Sequence, residues 1–379
     1  MPALFDPAQV GALQLGSRLV MAPMTRNRAP GALPTADMAT YYGQRAGARE
    51  GAALIVSEAV AISPTAQGYS DVPGLWSDAQ VAAWRPVVRA VHARGGRIVA
   101  QLWHVGRISH TRLQPQGQAP VAPSAITAQA RTYLVDENGH GGFVDTSAPR
   151  ALSEPEILAI VQDYAHAAAR AREAGFDGVE VHAANGYLID QFLRSGANHR
   201  TDAWGGPVAN RVRFLASVTR AVVDRIDADR VGVRLSPVSP TNDAHDDRPQ
   251  TLFEAAVHVL APLGLAYVHV VEGQGRGARD HQQGEKDFDY LALREAYRAA
   301  GGRGAWMLNN GYDFALAQEA VALGRADLIA VGRPFIANPD LAHRWRAGLP
   351  LAQADPSQYY GGGAAGYTDF PRALPCAAG

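Results

Sequence analysis

The chain has 379 residues, of which 47% are hydrophobic, and its formal net charge is −1 at pH 7. This balance is typical of a globular protein and supplies neither a basic surface for nucleic acid nor a polybasic membrane anchor. The single cysteine, Cys376, excludes an internal disulfide, a four-cysteine zinc site and an iron–sulfur cluster. No signal-peptide pattern and no run of roughly 18 apolar residues is present. We therefore expect a cytoplasmic protein that acts on small molecules, and its oligomeric state stays open.

Eight short apolar runs predict buried parallel strands that follow an N-terminal hairpin. Their apolar content is nearly continuous rather than alternating, as expected for strands covered on both faces. The predicted strands span residues 18–24, 53–59, 97–103, 178–184, 231–237, 266–273, 305–310 and 328–335.

Helix-like segments separate these runs. They span residues 36–49, 78–94, 153–173, 208–225, 252–263, 287–300, 313–323 and 339–346. In the third segment, Ser153 and Glu156 have the spacing of a capping box, and Gly175 is a typical helix stop.

Eight successive strand–helix units predict an α/β fold, a closed (β/α)₈ TIM barrel. A doubly wound open sheet is the main alternative, but it usually has a glycine-rich turn after its first strand. Here that strand ends in Ala22-Pro23-Met24-Thr25, without glycine. No linker or low-complexity tract interrupts the pattern, so residues 1–379 are predicted to form one domain.

One connection is much longer than the others. The segment from His104 to Arg150 separates the third strand from its helix and carries a hairpin-like turn at residues 136–139. Long connections of this kind are usually functional, so we expect a lid over the site.

Polar and aromatic residues concentrate where the predicted strands end, which is where barrel enzymes place their sites. These residues are Pro23, Met24, Thr25, Ala59, Gln101, Trp103, His182, Asn185, Tyr187, Arg234, Asn309, Asn310, Gly311, Gly332 and Arg333. Taken singly, each has an ordinary structural explanation, such as a core tryptophan, a hydrogen-bonded histidine or a buried ion pair. Their joint position at one rim favours a functional site.

A flavin mononucleotide (FMN) matches the chemistry of this rim. The usual phosphate site of barrels follows strands seven and eight, where residues 309–311 and 332–333 supply two turns and a guanidinium. Gln101 and Thr25 can hydrogen-bond to the ring. Arg234 would stabilise the anionic reduced flavin.

The motifs resemble those of the Old Yellow Enzyme family, in particular its bacterial branch with the N-ethylmaleimide and pentaerythritol tetranitrate reductases. The matching stretches, which run from Arg18 to Pro371, are RLVMAPMTRNRA, ALIVSEAV, QLWHVGRISH, AREAGFDGVEVHAANGYLIDQFL, NHRTDAWGGPVANRVRF, VGVRLSP, VGRPFIANPDL and YYGGGAAGYTDFP. Their order, spacing and position in the barrel all agree with the family.

The resemblance implies a role for each rim residue. The positions that contact the flavin ring and ribityl chain are Pro23, Met24, Thr25, Ala59, Gln101 and Arg234, and those of the phosphate turns are Asn309, Asn310, Gly311, Gly332 and Arg333. The substrate side would be lined by Trp103 and Tyr360. His182 and Asn185 would hydrogen-bond to the activating oxygen of the substrate, and Tyr187 would donate a proton.

Two positions depart from the family pattern. Phe143 stands where relatives often carry an arginine in the lid, and the loop 238–243 lacks their aromatic-Gln pair. Both lie on the substrate side, so they bear on substrate preference and not on the reaction type.

The resemblance implies an ene-reductase. NADPH or NADH, with NADPH favoured in the family, would reduce the flavin and leave, and an α,β-unsaturated carbonyl, nitroalkene or maleimide would then bind at the same place. Tyr187 would protonate the α-carbon of this electrophilic alkene.

Three other classes of protein conflict with features of the sequence. The related dienoyl-CoA and trimethylamine oxidoreductases carry an iron–sulfur cluster that a single cysteine cannot ligate. A flavin-free lyase or aldolase would need a Schiff-base lysine or a metal, and the only lysine, Lys286, is expected in a loop before a helix. A non-catalytic flavin-binding protein would have no need for His182, Asn185 and Tyr187.

Overall fold

The eight predicted strands close into a parallel barrel in the computed structural model, which describes residues 1–273 and 288–373. In chain order the strands are β1 (Ala8–Val10), β2 (Leu13–Leu15), β3 (Leu19–Met21), β4 (Leu54–Ala61), β5 (Arg97–Trp103), β6 (Val121–Ala122), β7 (Arg131–Val135), β8 (Gly141–Asp145), β9 (Arg150–Ala151), β10 (Gly178–Ala183), β11 (Val231–Leu235), β12 (Tyr267–Val271), β13 (Ala305–Asn309) and β14 (Leu328–Val331). The barrel order is β3-β4-β5-β10-β11-β12-β13-β14, with β14 pairing back to β3. The predicted (β/α)₈ TIM barrel is confirmed.

Helices follow the barrel strands and cover them from outside. They are α1 (Ala36–Arg45), α2 (Asp78–His92), α3 (Glu154–Ala174), α4 (Leu188–Leu193), α5 (Val208–Arg211), α6 (Arg213–Ile226), α7 (Pro249–Leu260), α8 (Tyr290–Ala299), α9 (Phe314–Ala322), α10 (Arg333–Ala337) and α11 (Leu341–Ala347). At the start of α3 the Glu156 carboxylate accepts a hydrogen bond from the Ser153 backbone N–H, at 2.8 Å. Gly175 ends this helix in the left-handed conformation, with φ of 99°. None of the helices in the described ranges is long and apolar enough to cross a bilayer.

Within the described residues, the hydrophobic core closes the amino-terminal end of the barrel. The large cluster lies between strands and helices and includes Trp84, Phe176 and Leu215. A second cluster fills the amino-terminal end of the barrel, where Val10 and Leu13 of the predicted N-terminal hairpin, β1–β2, close the bottom. The carboxyl ends of the strands are therefore the end at which a ligand can enter.

Some predicted boundaries were wrong. The eighth strand was expected to reach residue 335, but it ends at Val331 and residues 333–337 form α10. Pro334 has no N–H for a sheet ladder and suits the first turn of a helix. The predicted helix 208–225 is two helices that meet at Val212. Lys286, Cys376 and the expected helix start at residue 287 lie outside the described ranges.

The long insertion after β5 carries the predicted hairpin. Strands β7 and β8 pair antiparallel with Tyr133 opposite Phe143, and β6 pairs with β9. The Phe143 ring packs against Tyr133 and against Tyr360 from the carboxyl-terminal segment, at centroid distances of 5.4 and 5.7 Å. The insertion and this segment thus meet beside the open end of the barrel.

Candidate active site at the carboxyl end of the barrel

A cavity of about 750 Å³ opens at the carboxyl ends of the strands. Its size is in the range of small-molecule and cofactor sites. The predicted site residues in its wall are Pro23, Met24, Thr25, Asn185, Tyr187, Arg234, Asn309, Asn310, Gly311, Gly332, Arg333 and Tyr360. Phe143 and Thr241 and Asn242 of the loop 238–243 also line it, so both departures from the family pattern face the cavity.

Four predicted site residues lie behind this wall: Ala59, Gln101, Trp103 and His182, all buried. The register of the barrel strands explains their grouping. Ala59 on β4 is the register partner of Gln101 on β5, and His182 on β10 is the register partner of Arg234 on β11. The Trp103 ring contacts the Tyr187 ring edge-on, with centroids 4.9 Å apart.

The substrate-side residues converge on one corner. The rings of His182 and Tyr187 have centroids 5.0 Å apart, and the Tyr187 hydroxyl lies 3.2 Å from that of Tyr69. The Nδ1 atom of His182 is buried without a hydrogen-bond partner among the described residues. This corner therefore combines an unused imidazole nitrogen with a phenol.

Burial controls the protonation of this corner. Burial, followed by the charges of Arg234 and His269, lowers the pKa of His182 well below its ordinary value, so the imidazole is neutral at pH 7. Burial also raises the pKa of Tyr187, although hydrogen bonds from Tyr69 and Asn242 oppose that shift. Tyr187 is therefore a protonated phenol throughout the neutral range.

A strained turn presents Asn185 to the cavity. Asn185 has φ of 57° and Gly186 φ of 74°, and a Cβ at Gly186 would lie 2.6 Å from the Thr241 carbonyl oxygen. The Asn185 N–H donates to Ser236 Oγ at 2.7 Å, and its carbonyl accepts from Asn242 Nδ2 at 2.9 Å. These bonds hold the backbone and leave the Asn185 side-chain amide for a ligand.

Arg234 is a buried cation in the wall of the cavity. Its NH2 group donates to Asn309 Oδ1 at 2.8 Å, and Asn309 Nδ2 donates to the Ala330 carbonyl at 2.8 Å. The Arg234 Nε is buried and has no partner among the described residues. The Asn309 side chain is thus engaged within the barrel, and its backbone carbonyl accepts from the Glu272 N–H at 3.0 Å.

The predicted phosphate turns lie side by side, after β13 and β14. Asn310 and Gly311 have φ of 101° and 67°. The Asn310 side chain donates to the Glu272 carbonyl at 2.6 Å, which fixes the turn. The exposed Arg333 guanidinium makes no hydrogen bond or ion pair within the described ranges, so it is available to an anion.

These features fit FMN. The cavity volume is adequate, the Arg234 Nε without a partner is a buried donor that a bound ring can satisfy, and the turn next to Arg333 suits a phosphate. Residues 23–25 leave the sheet after β3 to form the adjoining wall.

Several residues of the cavity escaped the sequence analysis. Tyr69, Arg131 and Tyr133 line it from a loop and from the hairpin, where no periodic pattern or strand end marks them. Glu180, which hydrogen-bonds to Gln101, could have been noticed as a charged residue inside an apolar strand.

Comparison with known proteins agrees with this site. Residues 3–352 match the model of the NADH:flavin oxidoreductase / NADH oxidase family. The chain is 43% identical to 12-oxophytodienoate reductase 7 of Oryza sativa subsp. japonica, with 97% of this chain and 94% of that protein covered. It is 43% identical to chanoclavine-I aldehyde reductase of Penicillium roqueforti, with 98% and 96% covered.

Solved structures show the same relationship. Morphinone reductase in complex with tetrahydroNAD superposes with a TM-score of 0.90 at 46% identity, covering 99% of each chain. The old yellow enzyme homologue from Zymomonas mobilis gives a TM-score of 0.89 at 42% identity, covering 98% of this chain and 99% of that one. The expected family, FMN and a nicotinamide reductant are confirmed, and the flavin-free alternative is excluded. This chain belongs to the NADH:flavin oxidoreductase / NADH oxidase family, the Old Yellow Enzymes, and is an FMN-dependent NAD(P)H ene-reductase.

Proposed function

We propose that this enzyme reduces the C=C bond of α,β-unsaturated ketones and aldehydes, nitroalkenes or maleimides, and that Tyr187 protonates the α-carbon. The proposal is carried by Asn185 and Tyr187 in the cavity wall and by His182 behind that wall, with the His182 and Tyr187 rings 5.0 Å apart. A protein that only stored flavin would not need a neutral imidazole, an amide and a protonated phenol there.

The flavin side is assigned to the other rim residues. The ring and ribityl chain of FMN would be held by residues 23–25, Ala59, Gln101 and Arg234. Its phosphate would be held by residues 309–311 and 332–333. Bound FMN would supply the hydride for the β-carbon of the substrate and would be replenished by NADPH or NADH. The positive charge of Arg234, fully buried, favours any ligand state with added negative charge.

His182 and Asn185 activate the substrate in this proposal. As the β-carbon gains a hydride, negative charge develops on the carbonyl or nitro oxygen. Donors directed at developing charge lower the barrier by a few kcal/mol each. A neutral imidazole donates one N–H, and the Asn185 amide donates another from the turn that Ser236 and Asn242 hold.

Tyr187 completes the reaction as a general acid. Burial keeps its phenol protonated, so Tyr187 can donate a proton when the α-carbon of the substrate becomes basic. When the Tyr69 hydroxyl donates a hydrogen bond to the Tyr187 oxygen, the Tyr187 hydroxyl hydrogen stays free for the substrate.

The aromatic wall suggests flat, apolar substrates. The Tyr69 ring stacks on the Trp103 ring at a centroid distance of 5.6 Å. Three further aromatic rings line the cavity, those of Tyr133, Phe143 and Tyr360. Phe143 is 40% exposed and offers an apolar contact where relatives often have a cation. We therefore expect cyclic enones and substituted maleimides to bind better than acidic alkenes.

Product analysis tests the proposal. The FMN-loaded enzyme is given 2-cyclohexen-1-one and NADPH without oxygen, in H₂O and in D₂O. We expect cyclohexanone, with deuterium from D₂O at the α-carbon. Formation of 2-cyclohexen-1-ol, or no conversion of any of the four substrate classes, would contradict the proposed reaction.

A further inference from the structure

A fully buried carboxylate lies inside the barrel, outside the cavity wall. Glu180 is on β10, two residues before His182, so both side chains point to the same side of the strand. Glu180 is 0% exposed and pairs in register with Gln101 on β5. A buried acid needs partners to be tolerated, and those partners indicate what it does.

Among the described residues, the side chains of Gln101 and His269 donate to this carboxylate. Gln101 Nε2 lies 2.8 Å from Glu180 Oε1, and His269 Nδ1 lies 2.8 Å from Glu180 Oε2. An ionised carboxylate only accepts hydrogen bonds, so the atom of Gln101 that faces it must be the NH₂ group. The carbonyl oxygen and the second N–H of Gln101 are then left for another partner.

The carboxylate stays ionised in this position. Burial would raise the pKa of Glu180, but the interactions with His269, Arg234 and Gln101 outweigh burial and leave that pKa below its ordinary value. Burial also lowers the pKa of His269, so its Nδ1–H is a neutral donor. Arg234, whose register partners are His182 on β10 and His269 on β12, supplies the compensating positive charge.

We propose that Glu180 is a positioning residue that fixes the amide orientation of Gln101 for the pyrimidine edge of FMN and partly offsets the charge of Arg234. This inference rests on the proposed placement of Gln101 beside the flavin. The imide edge of a flavin carries an N–H donor flanked by carbonyl acceptors. An amide with its NH₂ group tied to Glu180 presents an acceptor and a donor to that edge, whereas a flipped amide would set donor against donor.

Two substitutions separate the orientation from the charge. Glu180→Leu removes both the acceptor for Gln101 and the charge. Glu180→Gln keeps an oxygen acceptor of nearly the same shape for Gln101 and removes the charge, and its NH₂ group then faces His269, whose neutral imidazole can accept from it as the other tautomer. His269→Gln is the matched control, because it changes the other partner of the same carboxylate without touching the bond to Gln101.

A double-mutant cycle on FMN affinity tests the orientation. Apoprotein is titrated with FMN for the parent, Glu180→Leu, Gln101→Leu and the double variant. We expect Glu180→Leu to raise the Kd about 10-fold, as for one hydrogen bond, and to have no further effect in the Gln101→Leu background. His269→Gln should leave the Kd within about 3-fold of the parent. An equal loss of affinity in both backgrounds would overturn the inference.

The flavin reduction potential tests the charge. We expect Glu180→Gln to bind FMN about as well as the parent and to shift the potential to a more positive value, because less negative charge then opposes flavin reduction. An unchanged or more negative potential would overturn the inference, and this variant decides the matter even if Glu180→Leu does not fold. If Gln101→Leu left both the FMN affinity and the flavin reduction potential unchanged, the proposed placement of Gln101 beside the flavin would be wrong. The proposed reduction of enones would not be affected by that result.

Discussion

The hydroxyl oxygens of Tyr69 and Tyr187 lie 3.2 Å apart, although the two residues come from the connections after β4 and β10. The interaction raises the pKa of Tyr69 and lowers that of Tyr187, while burial raises both. A Tyr69 hydroxyl that donates a hydrogen bond to the Tyr187 oxygen makes Tyr187 a stronger acid than burial alone would allow.

Removal of the Tyr69 hydroxyl should weaken this acid. We expect Tyr69→Phe to slow enone reduction by up to about 10-fold, because the pKa of Tyr187 rises when its donor is lost. The rate of flavin reduction by NADPH should not change. Tyr133→Phe removes another hydroxyl from the cavity wall and is the control, expected to leave both rates near those of the parent. Rapid-mixing kinetics of each variant decide the matter, and an equal loss in both variants would assign the effect to the shape of the wall.

Phenol binding should report on His182. A phenolate oxygen held by His182 and Asn185 over oxidised FMN should give a long-wavelength charge-transfer band. His182→Ala should weaken the complex roughly 10- to 100-fold, as for a lost donor to a charged group, whereas His182→Asn should restore part of the affinity. The measurement is a titration with para-chlorophenol at constant FMN content. Full affinity in the alanine variant would refute the role of His182.

Arg333 should distinguish FMN from riboflavin. Its exposed guanidinium has no partner in the described ranges and is available to the phosphate, which riboflavin lacks. Arg333→Met should therefore raise the Kd for FMN roughly 10- to 100-fold and leave that for riboflavin unchanged. Arg325→Met, which removes a surface arginine paired with Glu319, is the control. Equal losses for the two flavins would show that Arg333 does not bind the phosphate.

Glu58 should make stability depend on pH. Its carboxyl is buried beside the Tyr42 hydroxyl, 3.2 Å away, and burial raises its pKa from 4.5 to about 7. The folded state therefore binds more protons than the unfolded state between these values, so this contribution to stability is present below pH 4.5 and lost as pH rises through 7. The free energy of unfolding lost by pH 8 is about 3 kcal/mol, since a difference of one in the pKa between the folded and unfolded states corresponds to roughly 1.4 kcal/mol.

Glu58→Gln isolates this effect. The variant should gain stability relative to the parent as the pH rises from 5 to 8, because its amide does not ionise. Urea unfolding of the apoproteins at both pH values measures the difference. A difference between parent and variant that is the same at both pH values would contradict the assigned pKa.

The barrel was predictable because its signals are local and periodic. Continuous apolar runs marked each buried strand, and Ser153, Glu156 and Gly175 marked the ends of α3. Errors arose where a boundary depends on tertiary contacts. In the segment from Leu328 to Phe335, only Gly332, Arg333 and Pro334 mark the change from β14 to α10.

The site was predictable only in part, for a similar reason. Residues at strand ends could be assigned to the rim because parallel strands bring their ends together. Tyr69 and Asn242 reach Tyr187 from loops whose course no local pattern specifies. Glu180 acts through Gln101 on a neighbouring strand, a relation that depends on barrel register and becomes visible only in three dimensions.

Tyr187→Phe tests the central claim most directly, because it separates the two half-reactions. Stopped-flow kinetics should show near-normal flavin reduction by NADPH in the FMN-loaded variant, since that step needs no proton from Tyr187. Reoxidation of the reduced variant by 2-cyclohexen-1-one should slow roughly 10²- to 10⁴-fold, the usual effect of losing a general acid. Reoxidation by a nitroalkene should slow much less, because its nitronate can leave and be protonated in water. Equal effects on both half-reactions, or none on enone reduction, would contradict the role of Tyr187 as the proton donor.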